Sequence, residues 1–186
     1  ANGSVLALAV SGSTVYAGGD FTTLDGGTPR NRLAAIDTDG VIQPWNPNAN
    51  GYVYALAVSG STVYAGGAFT TLDGGTPRKY LAAFDIDGGA LHGWDPNANG
   101  SVLALAVSGS TVYAGGYFTT LDDGGTPRNR LAAIGTDGVI QPWDPNANNG
   151  VYALAVSGST LYVGGSFTYI DAGGGTPRKY LAAFDI

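Results

Sequence analysis

The chain has 186 residues with 31 Gly, 9 Pro and no Cys or Met, and apolar residues make up 44% of it. This apolar fraction excludes a disordered tract, and the lack of Cys excludes disulfide scaffolds and thiolate metal sites. The net charge of −6 argues against nucleic-acid and anionic-membrane partners. No run approaches the about 18 apolar residues of a membrane-spanning helix, so no membrane partner is expected.

One phrase recurs four times and divides the chain into repeats. ALAVSGSTVYAGG occupies residues 7–19, 55–67 and 104–116, and ALAVSGSTLYVGG occupies residues 153–165. A tryptophan follows at a constant spacing in the first three copies, at Trp45, Trp94 and Trp143. A period of roughly 50 residues built from short apolar runs is typical of β-propellers, in which each repeat forms one blade.

Each of the first three repeats contains four predicted strands, as residues 3–50 illustrate. Short apolar runs alternate with turns rich in Ser, Gly and Asp, a pattern typical of antiparallel hairpins. In chain order the elements are strand Val5–Val10, turn Ser11–Ser13, strand Thr14–Ala17, loop Leu24–Pro29, strand Arg32–Ile36, turn Asp37–Gly40, strand Val41–Trp45 and linker Asn46–Gly51. No run has a helical apolar period, so we expect a strand content above about 40% and almost no helix.

These elements predict an all-β fold, a β-propeller of four-stranded antiparallel blades with four blades per chain. The predicted single repeat domain covers 1–186, with blades near 3–47, 51–96, 100–145 and 150–186. The fourth copy ends after its third strand, so the last blade is expected to lack its outermost strand. Copies one and three share PRNRLAAI while copies two and four share PRKYLAAF, which indicates duplication of a two-blade unit, either recently or by design. The loop before the third strand gains residues at 122–125 and 171–175, which predicts a surface loop.

A family resemblance covers essentially the whole chain. Residues 31–74 contain an NRLA strand, a DTDG turn, an NPNANG linker, a VYALAV strand and a VYAGG-FT ending. With these elements the chain resembles the delta-60 repeats of bacterial surface and secreted proteins, and it is more weakly similar to kelch repeats. The resemblance implies a β-propeller, an extracellular or cell-surface location, and a scaffold or binding role, and it implies no catalytic residues.

The basic residues offer one candidate ligand site. All eight fall in a recurring segment that begins with TPR, in which Arg30, Arg78, Arg128 and Arg178 occupy the same position. A ring of such cations on one face could bind an acidic ligand or a carboxylated sugar. The favoured alternative is structural: each Arg pairs with an Asp of its own loop or bonds the carbonyls of a neighbouring blade. Those loop residues are Asp25, Asp73, Asp122 or Asp123, and Asp171.

Three further groups of residues are interpreted as structural. The Asp-x-Asp-Gly turns at Asp37 and Asp85 are similar to calcium loops, but copy three has Gly135 at the first position, so hairpin turns are favoured and no metal is predicted. His92 replaces a glutamine of the other copies and is predicted at the surface. The recurring aromatic residues are predicted to pack between blades and not to stack on sugars. They are Trp45, Trp94, Trp143, Tyr16, Tyr64, Tyr113 and Tyr162.

No phosphate loop, catalytic triad or pair of catalytic carboxylates is visible, so neither an enzyme nor a cofactor is predicted. The favoured function is a scaffold that folds and self-assembles as a propeller. The alternative is a lectin-like module that binds a glycan or another ligand through the loops of one face. Four blades can in principle close a ring, but if the blade twist prefers a larger ring, strand edges and an apolar blade face would be uncovered. With the small blade count and the missing last strand, two chains closing eight blades are favoured over a closed four-blade monomer.

Overall fold

The computed structural model describes residues 1–170 and 177–186, and in it the chain is all-β with about 49% strand. Its described residues contain no α-helix and one short 3-10 helix, Asp122–Gly124. The strands are β1 Val5–Ser11, β2 Thr14–Gly19, β3 Thr23–Leu24, β4 Thr28–Pro29, β5 Leu33–Asp37, β6 Val53–Ser59, β7 Thr62–Gly67, β8 Thr71–Leu72, β9 Thr76–Pro77, β10 Leu81–Asp85, β11 Val102–Ser108, β12 Thr111–Gly116, β13 Thr120–Leu121, β14 Thr126–Pro127, β15 Leu131–Gly135, β16 Val151–Ser157, β17 Thr160–Gly165 and β18 Leu181–Asp185. Most of the loop predicted to carry an insertion at 171–175 lies outside the described residues.

Every repeat forms a three-stranded antiparallel sheet. The four sheets have the strand orders β1-β2-β5, β6-β7-β10, β11-β12-β15 and β16-β17-β18. The register is the same in each: Val10 pairs with Val15 and Val15 pairs with Ile36 in repeat one, and the equivalent residues pair in the others. In the first three repeats, the loop before the third sheet strand carries a two-residue ribbon, β3-β4, β8-β9 or β13-β14. The repetition of the sequence is therefore reproduced as repetition of sheets.

The predicted fourth strand is much shorter than expected. Its central residue in the first three repeats, Ile42, Leu91 or Ile140, forms a single β-bridge to the third strand. In repeat one two backbone hydrogen bonds flank the bridge, from Asp37 to the Val41 carbonyl and from Gln43 to the Ala35 carbonyl, at 3.0 and 2.8 Å. Pairing stops after one bridge in all three repeats, where a residue poorly suited to a strand interior follows, Pro44, Gly93 or Pro142. The prediction of a regular strand at Val41–Trp45 is wrong.

The chain divides into two compact units, Ala1–Asp95 and Pro96–Ile186, each of which holds two repeats. In the first unit β6 of repeat two packs against β1 and β2 of repeat one. In the second unit β16 of repeat four packs in the same way against β11 and β12 of repeat three. The division falls at the predicted end of the second blade and matches the two-repeat duplication. The single domain over 1–186 stays a prediction.

The core of the first unit is shared by its two repeats and is centred on Trp45. The buried Trp45 ring packs edge-to-face against Tyr16 of repeat one and Phe84 of repeat two, with ring centroids 5.1 and 5.6 Å away. Its indole nitrogen donates a 2.9 Å hydrogen bond to the Asp85 carbonyl. The Tyr16 hydroxyl donates one of 2.8 Å to the Ile86 carbonyl, and burial raises the pKa of that hydroxyl. The prediction that these aromatic residues pack between repeats is confirmed here.

The second unit repeats this arrangement, with one exception among the predicted aromatic residues. Trp143 packs edge-to-face between Tyr113 of repeat three and Phe184 of repeat four, at 5.4 and 5.3 Å. Tyr162, the counterpart in repeat four, is exposed, so the prediction that it packs between blades is wrong. Tyr113 is covered by Trp143 and by side chains of repeat four, whereas no described residue covers Tyr162 in this way.

A glycine in the second strand sets how closely two repeats approach. A Cβ placed on Gly18 of repeat one would lie 2.6 Å from Val53 Cγ1 and 3.4 Å from Leu56 Cδ1 of repeat two. Gly115 of repeat three meets the Val151 and Leu154 side chains of repeat four in the same way. Only glycine leaves room for these branched side chains, so the valine of one repeat packs directly against the glycine of the repeat before it.

A bulky residue with left-handed backbone precedes the third sheet strand of every repeat. These residues are Arg32, Tyr80, Arg130 and Tyr180, with φ of 64°, 66°, 65° and 68°. Each donates its amide to the carbonyl of the phenylalanine in its own repeat, at 2.8 to 2.9 Å. That hydrogen bond and the adjoining strand hold a conformation that is unfavourable for a side chain of this size.

Tyr180→Asn is expected to stabilise the protein by about 0.5–1 kcal/mol, since asparagine adopts left-handed backbone more readily. Asn48 already does so here, with φ of 51°. Tyr180→Ala is the matched control, because it also removes the exposed ring but keeps the unfavourable φ. Urea unfolding of the two variants at equal concentration measures the difference, and an Asn variant no more stable than the Ala variant would contradict the explanation.

Candidate functional site

The predicted arginines are held by carbonyl groups of their own repeats. Arg30 Nη1 donates to the Pro29 carbonyl and Nη2 to the Gln43 carbonyl, both at 2.8 Å. Arg78 does the same toward the Pro77 and His92 carbonyls, and Arg128 toward those of Pro127 and Gln141, at 2.6 to 2.9 Å. The guanidinium therefore joins the end of the short ribbon to the bridged fourth segment.

Two of these arginines also form ion pairs with the linker that follows the tryptophan. Arg78 Nη1 lies 3.3 Å from Asp95 Oδ2, and Arg128 Nη1 lies 3.8 Å from Asp144 Oδ2, all four side chains being half-buried. The linker aspartates thus take the role that the structural interpretation gave to loop residues such as Asp73. Repeat one has Asn46 at this position. These contacts fit an architectural role within each repeat.

Arg178 is in a different environment from the other three. It is exposed, and it lines a groove of about 360 Å³ with Tyr162, Leu181, Ala182 and Ala183. Arg178 therefore keeps more of its guanidinium available to a ligand than its counterparts do. Ligand binding at Arg30, Arg78, Arg128 and Arg178 stays a prediction.

A polar cleft of about 520 Å³ lies in the first unit, where the linker meets the next ribbon. It is lined by Asn31, Arg32, Asn48, Ala49, Asn50, Thr71, Gly74 and Gly75. Asn31 Nδ2 donates to Asn48 Oδ1 at 3.0 Å, and Arg32 Nη1 donates to the Ala49 carbonyl at 2.9 Å. Asn50 Oδ1 accepts the amides of Thr70 and Thr71 at 2.8 and 2.9 Å.

The polar groups of this cleft therefore mainly hold the linker in place. The cleft can offer hydrogen bonds to a small polar molecule, but it holds no carboxylate or imidazole for acid–base chemistry. These asparagines were not among the predicted site residues. The signal that could have found them is the repeated PNAN segment of the linker, whose first Asn has left-handed backbone at Asn48, Asn97 and Asn146.

The Asp-x-Asp-Gly segments form hairpin turns, as predicted. Asp37 Oδ1 accepts the amides of Asp39 and Val41 at 3.0 and 2.8 Å, and Gly40 has a φ of 85°. In repeat two the Asp85 carboxylate accepts the Asp87 amide at 2.8 Å. Among the described residues no group of three or more His, Asp or other acidic or sulfur ligands could hold a metal ion.

His92 lies in the bridged segment beside one of these turns. Its amide donates to the Ala83 carbonyl at 2.8 Å, as Gln43 and Gln141 do in their repeats. The side chain is half-buried, so the predicted surface position is only partly reached.

Asp85→Asn is expected to make the protein less sensitive to acid. The amides of Asp87 and Gly88 hold the pKa of Asp85 below its usual value of 3.8. The stabilisation from the charged form is therefore present above that value and is lost as the pH falls through the lower folded-state pKa. Unfolding midpoints of Asp85→Asn and of the unchanged protein should converge between pH 5 and about pH 2. A gap that stays constant over this range would contradict the role of the charge.

A cluster of tyrosines in the second unit was not predicted. The hydroxyls of Tyr117 and Tyr152 lie 2.9 Å apart, and the Tyr152 hydroxyl lies 2.8 Å from Ser166 Oγ. The hydrogen bond to Tyr152 raises the pKa of Tyr117, whereas the bonds with Ser166 and Tyr117 lower the pKa of Tyr152. Tyr117 stands where the other copies have Asp20, Ala68 and Ser166. This departure from the repeated pattern is the signal that could have drawn attention to it.

No protein-family model matches the sequence, and no curated protein is significantly similar to it. The resemblance to delta-60 repeats therefore stays a prediction. Among solved structures, the chain is similar to the crystal structure of the computationally designed Ika4 protein, with a TM-score of 0.62 and 16% sequence identity. That alignment covers 100% of this chain and 93% of Ika4.

A second solved structure, the computationally designed Ika8 protein, matches with a TM-score of 0.46 and 18% identity over 87% of this chain and 55% of Ika8. At 16% identity the likeness to Ika4 shows a shared fold and nothing more. Within the described residues, no helix is both long and apolar enough to cross a membrane.

Proposed function

We propose that the chain is a non-enzymatic repeat scaffold whose repeats are the blades of a β-propeller and whose function is to fold and self-assemble. The observation that carries this proposal is the recurrence of one interface between repeats. In each unit a tryptophan is clamped between the tyrosine of one repeat and the phenylalanine of the next. In each unit a glycine also receives the valine and leucine of the following repeat.

An interface built from identical residues can be extended by further repeats, because each repeat presents the same two surfaces. Two chains would supply eight repeats, enough for one closed ring of the usual four to eight blades. The polar and charged side chains described above are largely engaged in holding turns, linkers and ribbons. This use supports a scaffold and leaves few groups for catalysis. The near-identity of the copies fits either a designed array or a recent duplication, and the family resemblance supports an extracellular or cell-surface location.

The test is the molar mass in solution. Sedimentation equilibrium is expected to give a single species at twice the chain mass of 18.8 kDa at micromolar concentration. A species that stays at 18.8 kDa at every concentration would overturn self-assembly, and an electron-microscopy class average without eight blades would overturn the ring.

The exposed Tyr117–Tyr152 pair favours a lectin-like module as a second candidate. Exposed tyrosines present flat apolar faces with hydroxyls at their edges, which suits a sugar ring. A glycan array followed by calorimetry tests this function. Tyr117→Ala should then remove binding, while Tyr169→Ala, another exposed tyrosine, should leave it unchanged. If no glycan on the array binds, the lectin-like function is overturned and the scaffold is the function that remains.

A further inference from the structure

We infer that self-assembly joins the two unlike ends of the array, repeat one of one copy docking on repeat four of a second copy. This inference rests on the proposed function and specifies its interface. The head face is the exposed apolar side of the first strand of repeat one. The tail face is the exposed side of the second and third sheet strands of repeat four. The head face consists of Val5, Leu8 and Val10, and the tail face of Tyr162, Gly164, Leu181 and Ala183.

The surface of repeat two that is equivalent to the head face is buried. Val5 and Leu8 are 44% and 64% exposed. The equivalent residues of repeat two, Val53 and Leu56, are 0% and 9% exposed because they pack against repeat one. A row of exposed large apolar side chains in one strand marks an interaction surface.

The surface of repeat three that is equivalent to the tail face is also buried, because repeat four follows it within the unit. Tyr113 and Leu131 of repeat three are 7% and 0% exposed and belong to a core cluster that includes Val151 and Leu161 of repeat four. The equivalent Tyr162 and Leu181 of repeat four are 45% and 66% exposed. Repeat four thus presents the surface that receives a following repeat, and the described residues of its unit leave that surface exposed.

The two faces match in detail. Gly18 and Gly115 each accommodate a valine and a leucine of the following repeat. Among the described residues, a Cβ at Gly164 would meet Ala153 Cβ at 3.6 Å and the Tyr180 carbonyl oxygen at 4.0 Å, so the space that a valine fills elsewhere is open there. Val5 and Leu8 are the same residue types at the same strand positions as the side chains that fill it in the other repeats. A second copy of this chain is therefore the occupant that fits.

A contact between unlike faces is heterologous, so it either closes into a ring or continues as a filament. Each chain carries a net charge of −6, and two copies repel each other at long range. The contact itself is apolar, so added salt should strengthen association by screening the repulsion.

The test uses one variant for each face. Leu8→Asp blocks the head and Leu181→Asp blocks the tail, and both positions are exposed enough to spare the fold of the chain. Each variant alone should associate at least about 100-fold more weakly than the unchanged protein, because docking would bury an unpaired charge. An equimolar mixture should form a one-to-one complex, since the first variant keeps an intact tail and the second keeps an intact head.

A third variant tests the packing itself. Gly164→Ala fits within its own chain but would meet Val5 of the second copy, as a Cβ on Gly18 would meet Val53. Association should weaken by about 10-fold or more. Gly27→Ala is the control, since no heavy atom lies within 4 Å of its Cβ. Far-UV circular-dichroism spectra equal to that of the unchanged protein show that loss of association is not loss of folding, since association itself shifts the unfolding midpoint.

The outcomes separate this inference from the proposed function. If the unchanged protein is monomeric at every concentration, self-assembly itself fails. If it assembles and both Asp variants still assemble alone, the interface lies elsewhere and only this inference fails. If one Asp variant dimerises alone while the other does not, like faces pair with each other, and the head-to-tail contact is wrong.

Discussion

Trp45→Ala should cost about 3–5 kcal/mol of unfolding free energy, the range for removing a fully buried tryptophan. The ring fills the space between Tyr16 and Phe84, so its removal leaves a cavity where repeat one meets repeat two. It also leaves the Asp85 carbonyl without the indole hydrogen bond. Urea unfolding followed by circular dichroism measures the loss.

Trp45→Phe is the control that separates packing from hydrogen bonding. It keeps an aromatic ring between the two repeats and removes the donor to the Asp85 carbonyl, so a smaller loss of about 1–3 kcal/mol is expected. If Trp45→Ala costs no more than Trp45→Phe, the ring does not hold the two repeats together, and the shared-core description is wrong.

Repetition made the sheets predictable. Because the same phrase occurs four times, each strand assignment was in effect made four times, and the first, second and third sheet strands lie within one or two residues of the predicted bounds. The prediction of the fourth strand failed because a residue poorly suited to a strand interior follows the single bridge in each of the first three repeats, at Pro44, Gly93 and Pro142. The sequence contains all three residues, and they could have been given more weight than the apolar residues before them.

The structural role of the arginines could be predicted from the sequence, but the aspartates that they contact could not. The arginines occupy the same position in every repeat, which indicated a structural role. Arg78 and Arg128, however, form ion pairs with Asp95 and Asp144, which lie 17 and 16 residues further along the chain. Such a contact depends on how the ribbon folds back toward the linker, and no spacing rule encodes that. Tyr162 shows the same limit, since its exposure depends on whether another repeat packs on repeat four and not on its own neighbours in the sequence.

The glycines at the ends of the second strands connect local backbone geometry to the packing of repeats. The first residue of each pair, such as Gly18, leaves space for the next repeat. The second, such as Gly67, lies against the backbone of its own repeat, beside a register shift between Val53 and Ala55. The pair thus serves two different contacts, and substitutions at its two positions are expected to fail for different reasons.

Gly67→Ala should destabilise the protein by about 3 kcal/mol or more, at the upper end for an overpacked site. Its Cβ would meet the Tyr52 carbonyl oxygen, and Phe69 Cδ1 would lie 2.9 Å away. That carbonyl cannot move aside freely, because it accepts the Ala68 amide at 2.8 Å. The strand must therefore separate or shift, and both changes break ladder hydrogen bonds.

The matched control for Gly67→Ala is Gly93→Ala, which lies in the same unit with no heavy atom within 4 Å of the added methyl group. A surface change of this kind is expected to alter stability by no more than about 0.5 kcal/mol. Urea unfolding midpoints of the two variants give the comparison. Equal midpoints would mean that the register shift beside Gly67 can absorb a side chain, and that close backbone approach is not why glycine stands there in all four repeats.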